Sequence, residues 1–428
     1  SASLSQPGNM DSDFDADGKV MTDFNSTTDQ GRALAIQPDQ KIIVAGISHT
    51  GTDNDFALVR YHIDGTLDNS FGASGKVTTD ISHNDYSHAI AIQTDGKILV
   101  AGHSLPYEDY DVTIARYNAD GSLDHSFGVN GTVVRIQSNE DQCRSMAVQP
   151  DGRIILAGFS RNTTRDFSVF RFNGEGTIDD TFGTSGNVQT EIGERDDTGE
   201  SVVLQPDGKI IIAGCFDNGT DNDIAMVRYE SDGEPDHSFG ENGIIRTPVG
   251  ALGDVAVSVA LQNDGKIIVA GHTNNGLDRD IAILRYHEYG SIDDAFNSDG
   301  IVTIPIGEGE DICEGLALQT DGKILVTGYT HNGEDYDSFL LRCNSDGTLD
   351  DTFGEEGIVI TTFGSAGDYG KDIAIQTNGR IVIAGFSDNG ENDDFTAARY
   401  LSGFNLGAVD FLTKNKTLLI CPNPLTDR

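Results

Sequence analysis

Five short segments carry two aspartates separated by one residue: Asp53–Asn54–Asp55, Asp109–Tyr110–Asp111, Asp221–Asn222–Asp223, Asp278–Arg279–Asp280 and Asp335–Tyr336–Asp337. Alternate carboxylates beside backbone carbonyls offer the hard oxygen ligands that Ca2+ takes. The same residues favour turns, because Asp and Asn side chains bond their own backbone. Two segments at the equivalent place depart from the pattern, as Thr164–Arg165–Asp166 and Asn392–Asp393–Asp394. The EF-hand spacing is absent. We favour the turn reading, with no cofactor required and Ca2+ as an optional ligand.

A second set repeats more strictly. Arg60, Arg116, Arg171, Arg228, Arg285, Arg342 and Arg399 occupy one recurring place, and Asp68, Asp124, Asp179, Asp236, Asp293 and Asp350 another, with Asp11 supplying the seventh. A planar guanidinium can bind a carboxylate or turn carbonyls, which would make a structural pair in each repeat. A ring of arginines could instead bind an anion. Scaffold chemistry repeats while a site breaks symmetry, so the structural reading is preferred. Phe14, Phe71, Phe127, Phe182, Phe239, Phe296 and Phe353 recur in the same way and read as hydrophobic plugs between units.

Catalytic signatures are missing. The ten histidines are scattered, with His83, His88, His103 and His272 near expected strand ends. There is no H-E-x-x-H, G-x-S-x-G or P-loop. The D-G-K and D-G-R segments lie between strands, not at a helix start. Carboxylates are too numerous for spacing to select a glycosidase couple. Cys143, Cys215, Cys313, Cys343 and Cys421 lack CxxC spacing, which argues against structural zinc, and their odd number excludes complete internal pairing. Two loops break the repeat, 103–110 (HSLPYEDY) and 247–254 (TPVGALGD), and could mark one asymmetric face.

The elements that must position these residues come from a repeat. A motif like A-x-Q-x-D-G-K-I-x-V-A-G recurs seven times, ending at Gly46, Gly102, Gly158, Gly214, Gly271, Gly328 and Gly385. Each unit reads as four strands. In the second unit they are Ala89–Gln93, a tight turn at Thr94–Gly96, Lys97–Gly102, Asp111–Tyr117, and a fourth beginning near Gly131–Val133. The unbroken apolar run at Ile98–Ala101 requires burial on both faces. Such units stacked face to face around an axis make a propeller. The last unit stops after Phe395–Tyr400, and the chain opens with the missing piece, Asp11–Phe14 and Gly18–Val20. The expected fold is therefore an all-β, seven-bladed β-propeller over residues 11–400, closed by the N-terminal strand. Residues 1–10 form an extension and 401–428 a linker and further segment.

The composition limits partners. A net charge of −41 repels nucleic acid and anionic membrane faces. No apolar stretch reaches the ~18 residues of a membrane span.

The pairing of D-G-K-I-x-V-A-G with L-D-x-S-F-G-x-x-G resembles the delta-60 repeat, a bacterial propeller family of largely unassigned function. The C-terminal Cys421–Pro422–Asn423–Pro424, followed by Thr426–Asp427, resembles the start of a type IX secretion sorting domain, with Cys421 in place of the usual Tyr. That second resemblance, carried by Pro422, Asn423, Pro424 and Asp427, implies a Bacteroidota protein and the type IX secretion machinery as export partner. It also implies an extracellular or outer-surface location. The expected function is a non-catalytic binding or scaffold module for a glycan, peptide or surface protein. The alternatives are an enzyme with an acidic site at the propeller mouth and a structural passenger of an adhesin.

Overall fold

The computed structural model describes residues 6–24, 27–135 and 140–403. The 28 strands among them form seven four-stranded antiparallel sheets and no helix. In the first blade the strands are Asp29–Ile36, Ile42–His49, Asn54–Tyr61 and Lys76–Thr79; in the second, Asp85–Ile92, Ile98–Ser104, Asp111–Tyr117 and Thr132–Val134. The first strand thus starts at Asp85, four residues before the expected Ala89. Its opening residues are polar and look like loop in the sequence.

The first strand of every blade packs against the first strands of both neighbouring blades, so these seven strands surround the axis. The blades are a seven-bladed propeller. The seventh sheet combines Asp368–Ile375, Ile381–Asp388 and Asp393–Tyr400 with the N-terminal Lys19–Thr22, in the register Lys19↔Ala398 to Thr22↔Phe395. The chain closes its own ring as the sequence requires.

Between blades, the apolar faces of the second and third strands make continuous cores. Ile43, Ala45, Phe56, Leu58 and Phe71 of the first blade, for example, pack on Ile98, Val100 and Tyr117 of the second. Burial on both faces explains the unbroken Ile-Ile-Val-Ala runs. The glycine ending each run has a local cause. A Cβ on Gly46 would lie 1.9 Å from the Gln30 carbonyl oxygen of the strand beside it.

That close approach marks a β-bulge. Register shifts at Gly31/Ala33, Ser87/Ala89, Cys143/Ser145, Gly199/Ser201, Ala256/Ser258, Cys313/Gly315 and Gly370/Asp372 place one extra residue in each first strand. A bulge re-aims its side chain, and here the axis lies on that side.

Candidate functional site: an axial ring of bulged residues

The bulged residues are Arg32, His88, Arg144, Glu200, Val257, Glu314 and Lys371, each five positions before the motif glutamine. All seven are half-buried. They face one another across the axis. Lys371 Nζ makes a close ion pair with Glu314 of the preceding blade, and Arg144 Nε lies 3.8 Å from Glu200 Oε2 of the next. His88 feels the positive charge of Arg32, Arg144 and Lys371 together. The position is the same in every blade and its chemistry is not. It carries three cations, one imidazole, two carboxylates and one valine.

These surroundings shift protonation. Burial, then His103 and the nearby cations, hold His88 far below the ordinary imidazole value. His103, whose ring stacks on His88 with centroids 4.9 Å apart, falls to about 3, chiefly by burial and then by Arg144. Burial, followed by the charge of Arg144, draws Arg32 down to about 10. Burial raises Glu200 against the pull of Arg144. Asp372, next to bulged Lys371, rises to about 7 through burial, although the amides of Leu34 (2.7 Å) and Ile373 (2.8 Å) donate to it.

One end of the channel carries the loops that join second to third strands and the connections that enter each first strand. The loops singled out in the sequence, 103–110 and 247–254, both lie at this mouth, although His103 and Ser104 belong to the second strand. Tyr110 sets its ring edge-on to His103 at 5.0 Å. Val249 is apolar because it packs on the core between the fourth and fifth blades, not because it meets a ligand.

The paired aspartates also sit at the mouth. In each pair the first is partly or fully exposed, and the second is buried apart from half-buried Asp223. A side-chain amide joins them. Asn218 Nδ2 donates to Asp221 Oδ1 (2.7 Å) and Asp223 Oδ2 (2.8 Å). Asn275 does so to Asp278 and Asp280, and Asn332 to Asp335 and Asp337. An NH2 group thus fills the gap that a cation within one loop would need, as in an Asx-stabilised turn. In the first blade Thr50 and Thr52 hydroxyls approach Asp53 instead. Asp109 is exposed on its loop and Asp111 buried.

The buried second aspartate faces the neighbouring blade. Asp29, Asp85, Asp141, Asp197, Asp254, Asp311 and Asp368 stand eight positions before the motif glutamines and are all buried. Their carboxylates cap loop amides, such as Ile81 and Ser82 on Asp85 or Ile192 and Gly193 on Asp197. Asp55 lies close to Asp80 and Asp85, and Asp394 to Asp23 and Asp29. Burial, reinforced by these neighbours, raises Asp29, Asp55 and Asp166 to about 6.

The opposite end of the propeller holds the arginine–aspartate chemistry. Arg Nε donates to Asp Oδ2 at 2.7 to 2.8 Å in all seven blades: Arg60–Asp68, Arg116–Asp124, Arg171–Asp179, Arg228–Asp236, Arg285–Asp293, Arg342–Asp350 and, across the closure, Arg399–Asp11. Each arginine also reaches the next blade, as Arg228 Nη1 does to the Glu288 carbonyl at 2.5 Å. Each caps the recurrent phenylalanine, with Arg228 4.3 Å above the Phe239 ring. For Asp68, burial alone would raise the carboxyl. Hydrogen bonds from Ser70 and Lys41 and the charge of Arg60 outweigh it and hold it well below the usual range. The bonds span blades, so the arginine is a staple between units as well as a pair within one.

Among the described residues, Cys143, Cys215, Cys313 and Cys343 are buried free thiols, and burial pushes Cys143 and Cys215 up to about 12. Cys421, Pro422, Asn423, Pro424 and Asp427 lie outside the described residues. A surface hollow, formed by the linker and fourth strand of the first blade and the turn at Asp120–Ser122, lies apart from the axial ring. Among the described residues, no helix is long and apolar enough to cross a membrane.

Six segments match the family described as "Domain of unknown function (DUF5122) beta-propeller": residues 37–71, 93–127, 149–182, 205–239, 262–296 and 319–353. Each runs from the motif glutamine to the recurrent phenylalanine. The seventh copy is split between the two ends of the chain, Gln376–Tyr400 and Asp11–Phe14. No curated protein matches. Among solved structures, a catalytically inactive virginiamycin B lyase from Staphylococcus aureus is 11% identical with a TM-score of 0.53, over 89% of this chain and 98% of that one. Puromycin hydrolase is 12% identical with a TM-score of 0.50, over 93% of this chain and 57% of that one. A protein of unknown function from Dyadobacter fermentans is 11% identical with a TM-score of 0.48, over 90% and 97%. Propellers of this kind include lyases and hydrolases, so the likeness favours neither catalysis nor its absence. The chain is a seven-bladed β-propeller, six of whose repeats match DUF5122.

Proposed function

We propose that this propeller is a non-catalytic binding module whose ligand enters the axial channel from the mouth that carries the Asn-capped loops. One observation carries the reading. Six of the seven ring positions hold ionisable side chains, of four residue types, whereas the recurrent arginine, aspartate and phenylalanine positions hold one type each. Drift on an exposed loop would leave such variety unremarkable, but these side chains are half-buried and converge on a common axis. Tyr86, Gln30 and Gln142 stand two residues nearer the mouth and add hydrogen-bonding and stacking surface. The reading places the chain outside the cell or on its outer surface, exported by the type IX machinery through Pro422–Asp427, with a glycan, peptide or surface protein as ligand. Ca2+ enters as a structural ion at the blade junctions Asp23–Asp29–Asp394 and Asp55–Asp80–Asp85, where Asp29, Asp55 and Asp394 each bury an Oδ1 without a hydrogen-bond donor among the described residues.

Glycan and peptide arrays probed with the full chain test the reading. A ligand whose binding falls on Arg144→Gln or Glu200→Gln supports it; a ligand indifferent to every ring substitution overturns it. A second reading, an axial lyase or hydrolase, is favoured by Glu200, a half-buried carboxyl that burial raises above its ordinary value, with Arg144 3.8 Å away. Appearance of cleaved product on incubation with the captured ligand would select that reading, and intact ligand would select binding.

A further inference from the structure

The ring is electrically lopsided. Its two carboxylates, Glu200 and Glu314, come from the fourth and sixth blades, while three consecutive blades contribute Arg32, His88 and Arg144. Arg32 forms no ion pair among the described residues; its Nη2 donates to Gln30 Oε1 at 3.0 Å, and its guanidinium lies over the Tyr86 ring at 5.5 Å. Among the described residues, Arg144 Nε is buried without a hydrogen-bond acceptor, since Glu200 at 3.8 Å is too distant to take its proton. His88 Nε2 between them is likewise buried and unpartnered. Leaving such groups unsatisfied is costly. The charge of Arg144 disfavours that of Arg32, and an anion between them would relieve the repulsion.

From this we infer that Arg32, His88 and Arg144 form a subsite for the carboxylate of a small polar ligand. The inference rests on the axial binding reading above and adds the ligand's charge. Guanidiniums suit a planar oxyanion because they donate two parallel hydrogen bonds. The neutral imidazole can donate a third. Half-buried Tyr86, beside the Arg32 guanidinium, offers aromatic surface for the ligand's body. The surroundings limit the number of charges. The whole chain carries −41, and the mouth is ringed by Asp53, Asp109, Asp221, Asp278 and Asp335. A polyanion would be repelled at that rim, whereas a ligand with one carboxylate on a neutral body would pass.

Saturation-transfer NMR with the full chain tests this, using glucuronate as probe, glucose as its neutral twin and inorganic sulfate as a bodiless anion. Glucuronate should receive saturation and glucose should not; sulfate should compete only weakly, since it lacks the body that Tyr86 takes. Replacing Arg32 and Arg144 together by Gln should weaken glucuronate at least about tenfold, the loss of charge-assisted hydrogen bonds. Arg32→Lys with Arg144→Lys should restore part of the binding, and an unchanged melting temperature would separate site loss from unfolding. Equal signals for glucose and glucuronate, or glucuronate binding indifferent to the double Gln variant, overturn the subsite. If an array ligand depends on Glu200 and Glu314 but not on Arg32 and Arg144, the subsite falls while axial binding stands. If no ring substitution affects any ligand, both fall.

Discussion

The two ends of the same sheets follow opposite rules. At the far end, seven arginines, seven aspartates and seven phenylalanines repeat one set of bonds, with Nε–Oδ2 distances varying by only 0.1 Å. On the axis, one backbone device, the bulge, recurs seven times and presents five kinds of side chain. Uniformity at the first place and variety at the second separate what holds the ring from what the ring holds. The staples sit between blades, where a change in one would unseat its neighbour. The bulged side chains face a channel where a change disturbs little besides a ligand.

Opening the ring should have the largest effect. Removing residues 1–22 takes away the closing strand and Asp11, and unfolding in urea should lose its single sharp transition; a two-state melt of that variant would refute the closure. Next comes a staple. Arg228→Ala leaves Asp236 buried without its guanidinium and should cost about 3 to 5 kcal/mol by urea titration; a loss below ~1 kcal/mol would show the staples are dispensable.

The third effect is acid–base. Asp29, Asp55 and Asp166 have folded values near 6 against 3.8 for the free group. Their contribution is complete below 3.8 and fades as pH rises through about 6. Asp68, Asp124 and Asp236 are depressed, so theirs is present above 3.8 and lost as pH falls below it. The melting temperature should therefore rise from about pH 7.5 to 5 and drop again below about 4. A flat profile from 7.5 to 5 would mean that the junction acids are ionised without penalty.

Calcium sharpens the same point. Millimolar Ca2+ at about pH 7.5 should raise the melting temperature by a few degrees through linkage, and Asp55→Asn should reduce the gain. No gain in the parent chain would leave the junctions as protonated acid pairs. The smallest effect belongs to the axis: Glu314→Gln or Val257→Ala should change stability by no more than ~0.5 kcal/mol. A large loss would make the ring another structural element.

The staples were legible because they repeat in type. Arg60 and Asp68 recur at fixed offsets, and the closing role of Asp11 and Phe14 followed from the fragment missing after Tyr400. The axial ring was not, because it repeats in place and varies in type. Arg32, Glu200 and Val257 share no chemistry by which to align them. The bulge that aims them interrupts the alternation that marks a strand, so the sequence pattern starts each first strand after it. The signal that could have exposed them was the fixed offset from the motif glutamine. The same offset reading would have found Asp29, Asp85 and their equivalents, which were hidden because aspartate is a poor strand former. His88 and His103 were noted separately, but only folding reveals that they stack.

The antiparallel pairing of the first and last strands has a mechanical consequence. Pro7 and Ser402 leave the closing sheet at the same end, beside the bonds Gly8 N–Leu401 O, Leu401 N–Asn9 O and Asp11 N–Arg399 O. Tension applied through a tether at that end would therefore load these bonds one after another and peel the sheet instead of shearing it. The buried Arg399–Asp11 contact is the first strong obstacle along that path, so it sets the force at which the circle would come undone.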